Sequence, residues 1–255
     1  MKIAAKNFLW RIWLPIIILG IWQIIASLEK NPFFPAPLRI WSACLEVAKT
    51  YSVLNSLKSS LSILLSGYLL GALIGVFVGS LMGEFYLMRK LMLPASNFIR
   101  SIPSVAKVPL IMALMGLGTA TRITAVCMAV LFPVLMSTVR AVATTKQELL
   151  DVAKTMKYGR IQGLITIKIP AATGEILTGL HAAVQVALLT MILSEMLGSG
   201  IGIGAFIIQS QSTFRIANMW VGIFVVGIIG LFLNFLFLKL ERKFAPWYFE
   251  SRGLN

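Results

Sequence analysis

The stretch ELLDVAKTMKYGRIQGLITIKIP, Glu148–Pro170, is out of character with the chain that holds it. It carries Lys154, Lys157, Arg160 and Lys168, the acids Glu148 and Asp151, Gly159 and Gly163, and a closing proline. The chain as a whole is 58% hydrophobic and 13% charged, with a mean hydropathy of +0.88. Within the stretch, Leu149, Val152, Ala153 and Met156 recur at i, i+3, i+4 and i+7, the spacing of one helical face. Lys154, Lys157 and Arg160 take other faces. The reading is a short amphipathic helix ended by Gly159, then Ile161–Ile169 leading to Pro170 and a new apolar helix. Such a surface helix-turn-helix wants either the membrane interface or a groove on another protein, and periodicity does not choose between them.

Outward from this stretch the sequence is nearly solid hydrocarbon. A spanning helix needs roughly 20 apolar residues, whereas membrane strands alternate. Six spans are expected, near residues 9–28, 60–83, 91–115, 120–140, 175–197 and 219–239, giving an all-α polytopic membrane protein of one domain. In the third, Pro94, Pro103 and Pro109 together with Arg100 and Lys107 break the helix into pieces that must lean on protein. The first run is full-length and lacks a small-residue cleavage site, which argues against a cleaved signal peptide. Between spans one and two, NPFFPAPLRIWSACLEVAKTY reads as an extended stretch and a short interfacial helix at the outer surface.

The formal net charge is +14. Basic residues crowd the cytoplasmic ends of membrane helices, and no aromatic-interleaved basic face suits a nucleic acid. With the N-terminus inside, fifteen of the 23 Lys and Arg residues fall in inner segments and six in outer ones; Arg100 and Lys107 lie within span three. Both termini and Glu148–Pro170 are therefore expected in the cytoplasm. Cys44 and Cys127 make no CxxC pair, and the single histidine, His181, cannot supply a metal cluster. No HExxH, GxSxG or GxxxxGK[ST] occurs, so neither catalysis nor a phosphate loop of its own is indicated. Transport powered by ATP needs a separate ATPase chain.

Polar groups within spans are functional candidates. His181, Gln185 and Glu195 fall close to one face of span five, suited to a translocation pathway or to hydrogen bonds between helices. Glu195, before the glycine-rich GSGIGIG, fits a solvated cap or a gate. Arg100 and Lys107 suit an anion, or snorkel, or pair with acids such as Glu195. Span two holds Gly67, Gly71, Gly75, Gly79 and Gly83, a smooth ridge for close helix approach, within the chain or at a dimer contact.

The stretch resembles the cytoplasmic EAA loop of the permease subunits of bacterial ABC importers. Asp151, Val152 and Ala153 stand at the E-A-A positions, and Ile167–Pro170 closes at the family's distance. Lys157 stands where the family has glycine, with Gly159 two positions later. RSIPSVAKVPLIMALMGLGTATRI (Arg100–Ile123), FPVLMSTVRAV (Phe132–Val142), PAATGEILTGL (Pro170–Leu180), SEMLGSGIGIGAFI (Ser194–Ile207) and LERKFAPW (Leu240–Trp247) are similar to the nitrate, sulfonate and taurine branch.

The resemblance implies a type I ABC importer (MetI-like) permease fold in the bacterial inner membrane. Two permease copies form the pore, two ATPase subunits bind ATP and Mg, and an extracytoplasmic binding protein delivers substrate. It implies that Asp151–Arg160 carry the coupling, with Leu149, Val152, Ala153 and Met156 packing in an ATPase groove and Lys154, Lys157, Tyr158 and Arg160 making polar contacts. A pathway past Ser101, Pro103, Lys107, His181, Gln185 and Glu195 follows. Sulfonate or taurine leads as substrate; nitrate, bicarbonate and a thiamine-precursor pyrimidine are served by similar permeases. A stand-alone secondary transporter would show inverted repeats with paired broken helices, and only one broken span is visible. A membrane-embedded enzyme lacks a catalytic constellation.

Overall fold

A computed structural model describes residues 2–29, 31–49, 52–198, 200–244 and 246, with side chains described from residue 13 onward except that of Ser52. Among the described residues there are eleven α-helices and no strand. They are α1 (Lys2–Glu29), α2 (Pro37–Lys49), α3 (Ser52–Glu84), α4 (Tyr86–Ser101), α5 (Ser104–Met115), α6 (Thr119–Ala143), α7 (Gln147–Thr155), α8 (Arg160–Gly163), α9 (Ile169–Leu197), α10 (Ile203–Ser212) and α11 (Ile216–Phe244).

Among the described residues, helices α3, α6, α11 and the run Arg160–Leu197 are each long and apolar enough to cross a bilayer, and the bent pair α4–α5 passes the same test only as one broken unit, so four to five crossings stand where six were expected. Helix α1 is apolar over Trp13–Glu29, a shorter stretch. The bend between α4 and α5 is 96°. It falls at Pro103 alone: Ile102 is extended (φ −75°, ψ 122°) because the proline ring disfavours helical backbone in the residue before it. The expectation that all three prolines break this span is corrected. Pro94 lies inside α4 and Pro109 inside α5, each removing one helical hydrogen bond without ending the helix.

Helix α6 is the enclosed centre, with buried residues on most of its circumference. On one side it packs on α3 and on the other on α9, where Val126, Val130 and Val134 meet Ile63, Leu64, Ala72, Ala183, Ala187 and Met191. The contact with α3 is a backbone-to-backbone approach. A Cβ placed on Gly67 would lie 2.7 Å from Val126 Cβ, one on Gly71 2.5 Å from the Cys127 carbonyl, and one on Gly83 2.6 Å from Val142 Cβ. Gly75 and Gly79 meet Leu131, Val134 and Thr138 in the same way. The glycine ridge therefore faces a helix of its own chain.

The other side of α3 presents Leu65, Leu69, Leu73 and Phe77 outward, as α11 presents Leu231, Phe232 and Phe235. Outward apolar side chains of this kind suit lipid. Helix α2 lays Ile40 and Ala43 against Val221 of α11. Trp22, Phe34, Trp220 and Phe224 interlock beside them, and the Gln23 side-chain oxygen accepts the Leu38 N–H at 3.2 Å.

Candidate functional site

Between α6 and α9 the chain leaves the bundle and returns through α7, a turn and α8. Glu148 stands in the first turn of α7 and Lys154 in the last, each complementing the helix dipole. Asp151 accepts from Lys154 Nζ at 2.9 Å and from Gln147 Nε2 at 3.1 Å, and these bonds hold its carboxyl below the usual carboxylate range.

The stop of α7 is not at Gly159, and that expectation is corrected. The helix ends at Thr155, and Lys157 takes left-handed backbone, φ 55°. Its N–H donates to the Lys154 carbonyl at 2.9 Å, and the Tyr158 N–H donates to the Ala153 carbonyl at 3.0 Å. This pair of bonds is the Schellman closure, whose left-handed position is usually glycine. Lys157 thus takes, as a non-glycine residue, the conformation that glycine adopts most easily. Gly159, at φ −66°, is the extended residue that starts α8.

The proline at 170 does not start a new helix either. From Arg160 to Leu197 the helix is continuous. Leu164–Lys168 widens into a π turn in which the Ile169 N–H donates to the Leu164 carbonyl. A proline at 170 has no N–H for the Thr166 carbonyl, and the widened turn just before it takes up that mismatch. Lys168 in this turn donates to Glu84 Oε2 at 2.6 Å, with Glu84 only 8% exposed. The loop is therefore tied rigidly to two spans.

No residue of α7 is buried. Leu149, Ala153 and Tyr158 are half-covered by the chain's own body, whereas Val152, Met156, Ile161 and Ile165 are exposed. The four-residue face expected from spacing is split: its outer half is Val152 and Met156, and Ala153 leans toward Gly163.

The polar residues of α9 do not converge. His181 accepts or donates at both nitrogens within the bundle, Nε2 to Asn234 Oδ1 at 2.9 Å and Nδ1 to Glu241 Oε1 at 3.2 Å, with Phe237 stacked on its ring. Gln185 lines a cleft between α9 and α11. Glu195 is fully buried at the far end, where its Oε2 accepts the Gly204 N–H at 2.9 Å and its carboxylate fills the place where a Gly202 side chain would go. Ser60 beside it accepts the Ile203 N–H at 2.9 Å, and buried Arg122 donates to the Ile201 carbonyl at 2.8 Å. Ser60 and Arg122 lie far from Glu195 in sequence, and no local pattern marks them as its neighbours. Lys107 is buried with its ammonium 5.0 Å from the centre of the Phe132 ring and makes no ion pair with Glu195. Ser101 and Pro103 are exposed at the break.

A second polar region lies between the end of α4, α6 and α9, where Arg100, Arg140, Ser137, Glu175 and Thr178 line a cavity of about 410 Å³. Among the described residues no group of three or more His, Cys, Asp or Glu side chains is placed to hold a metal.

A bundle of long apolar helices, a bent helix pair and a charged surface loop set on a continuous helix describe a polytopic membrane protein. Residues 67–249 match the family of binding-protein-dependent transport system inner membrane components, and the chain belongs to that family. It is 28% identical over 242 residues to the taurine transport system permease protein TauC of Escherichia coli K12, covering 92% of this chain and 88% of that one. It is 26% identical to the putative aliphatic sulfonates transport permease protein SsuC of Bacillus subtilis (99% and 93% covered), and 28% identical to the nitrate import permease protein NrtB of Leptolyngbya laminosa (90% and 85%). Among solved structures, a chain of the inward-facing MetNI methionine ABC transporter superposes with a TM-score of 0.68 at 15% identity, covering 76% of this chain and 97% of that one. A chain of an amino acid ABC transporter does so with 0.58 at 16%, covering 79% and 96%. The protein is a multi-pass ABC transporter permease with the fold of these type I importers.

Proposed function

We propose that the chain is the pore-forming subunit of an ATP-driven importer for a small oxygen-rich anion, an aliphatic sulfonate or taurine first and nitrate second. A separate ATPase, present in two copies, binds ATP and Mg; a binding protein delivers substrate from outside; and a second copy of this chain completes the pore. Both termini and α7 then face the cytoplasm. The names of the taurine, sulfonate and nitrate relatives support the substrate class.

The observation that carries this reading is the uncovered apolar edge of α7. Val152 on α7 and Met156 just past its end are 48% and 56% exposed, in a loop tied to the bundle through Lys168. Exposed apolar side chains on a loop rich in charge suit a protein groove. The continuous helix from Arg160 to Leu197 carries a push on α8 into the bundle, and the second tie, to Glu84, carries it into α3. Two permease states related by rigid-body movement are then biased by ATP on one side and by loaded binding protein on the other.

The test is affinity purification of the tagged chain in mild detergent, followed by uptake in proteoliposomes. An ATPase subunit copurifies, and sulfonate uptake requires ATP and the binding protein. A chain that transports alone, with no ATPase attached, overturns the reading.

A further inference from the structure

The cavity between α4, α6 and α9 sits beside the break in the third span and on the half of the bundle nearer the coupling loop. Among the described residues Arg100 and Arg140 make no ion pair, and their guanidinium groups have no hydrogen-bond partner. Arg100, Arg140 and Glu175 are exposed in the single chain, so the cavity is open and a solute can reach all three. The planar donors of the two arginines match an oxyanion.

The rest of the lining has the opposite polarity. Ser137 spends its hydroxyl proton on the Val134 carbonyl at 2.9 Å, and Thr178 spends its own on the Gly174 carbonyl at 3.0 Å. Toward the cavity both therefore offer lone pairs, as does the Glu175 carboxylate, which makes no ion pair. Gly179 has no side chain, and a Cβ there would collide with Ser137 Oγ, so this position keeps the Ser137 hydroxyl at the wall. A simple anion would gain nothing from a carboxylate and two lone-pair donors. A solute with an oxyanion at one end and an ammonium at the other satisfies both sets.

We propose that this cavity is a transit site for a small zwitterionic oxyanion of the aminosulfonate class, with Arg100 and Arg140 binding the sulfonate and Glu175 the ammonium. The proposal rests on the importer reading and sharpens its substrate.

The test uses the assembled permease–ATPase complex in nanodiscs without binding protein, probed with radiolabelled taurine and competed with unlabelled taurine or ethanesulfonate, which lacks the ammonium. Wild type prefers taurine about tenfold, the worth of one charge-assisted hydrogen bond. Glu175→Gln abolishes the preference and leaves ethanesulfonate competition unchanged. Arg140→Gln and, independently, Arg100→Gln weaken both solutes about tenfold. The proposal is overturned by absent taurine binding in wild type, by equal competition from the two solutes, by a preference that survives Glu175→Gln, or by arginine variants that bind as wild type does. Copurification of the ATPase is read from the same preparation, so loss of the importer reading shows as a missing ATPase and loss of the transit site as unaltered binding to an intact complex.

Discussion

Lys168 Nζ lies 2.6 Å from Glu84 Oε2, so the π turn at the root of α9 is pinned to the last residue of α3. The pair is largely shielded from water, Lys168 at 20% and Glu84 at 8% exposure. Removing one partner strands the other, at a cost of roughly 2 kcal/mol. Glu84→Gln is expected to lower the unfolding temperature of the detergent-purified chain and to leave ATP hydrolysis in the assembled complex less dependent on loaded binding protein. The charge-swapped double variant Glu84→Lys with Lys168→Glu restores much of both. Thermal unfolding and binding-protein-stimulated hydrolysis, measured side by side, decide it.

Lys157 holds left-handed backbone, which costs an L-residue about 1–2 kcal/mol relative to glycine. Lys157→Gly is expected to stabilise the α7–α8 loop by about 1 kcal/mol after the extra chain entropy of glycine is counted. Slower amide exchange at Tyr158, whose N–H closes the turn, is the readout. Faster exchange there would sink the assignment.

Docking through the outer edge of α7 predicts a clear order among three substitutions. Val152→Asp and Met156→Asp put an unpaired charge into a groove, which costs several kcal/mol, and reduce ATP-driven uptake more than tenfold while leaving membrane insertion intact. Ala153→Asp, on the half-covered side, also perturbs the loop itself and lowers the unfolding temperature. Equal uptake in the Val152 and Met156 variants and wild type would remove α7 from the coupling path.

The α3–α6 seam predicts a sharp contrast between glycines. Gly71→Val drives a side chain into the Cys127 carbonyl, and overpacking of this kind costs about 1–3 kcal/mol. Gly227→Ala on α11 meets nothing within 4 Å and is expected to be neutral. Unfolding curves of the two variants in one detergent make the comparison.

At the other end of α9, Glu195→Leu removes the acceptor of the Gly204 N–H and is expected to loosen residues 200–204, seen as faster proteolysis there; Glu195→Gln keeps an acceptor oxygen and most of the protection.

What the sequence determined by itself is what short-range chemistry encodes. Apolar runs declare an all-α membrane bundle, and the i, i+3, i+4, i+7 spacing declares α7. Three prolines in one run declare that the third span is interrupted, since each lacks an N–H and restricts the residue before it. Which of the three prolines would break the helix was not legible, because a proline inside a supported helix is tolerated.

The tertiary structure decided every relation that joins distant residues. It chose α6 as the partner of the glycine ridge, α11 as the partner of His181, and Ser60 and Arg122 as the neighbours of Glu195. It also made Lys157 rather than Gly159 the left-handed stop. Periodicity records which face of a helix is apolar, a property of residues three and four apart. Which helix meets that face depends on how closely backbones from separate parts of the chain approach, and that is set only when the whole bundle packs.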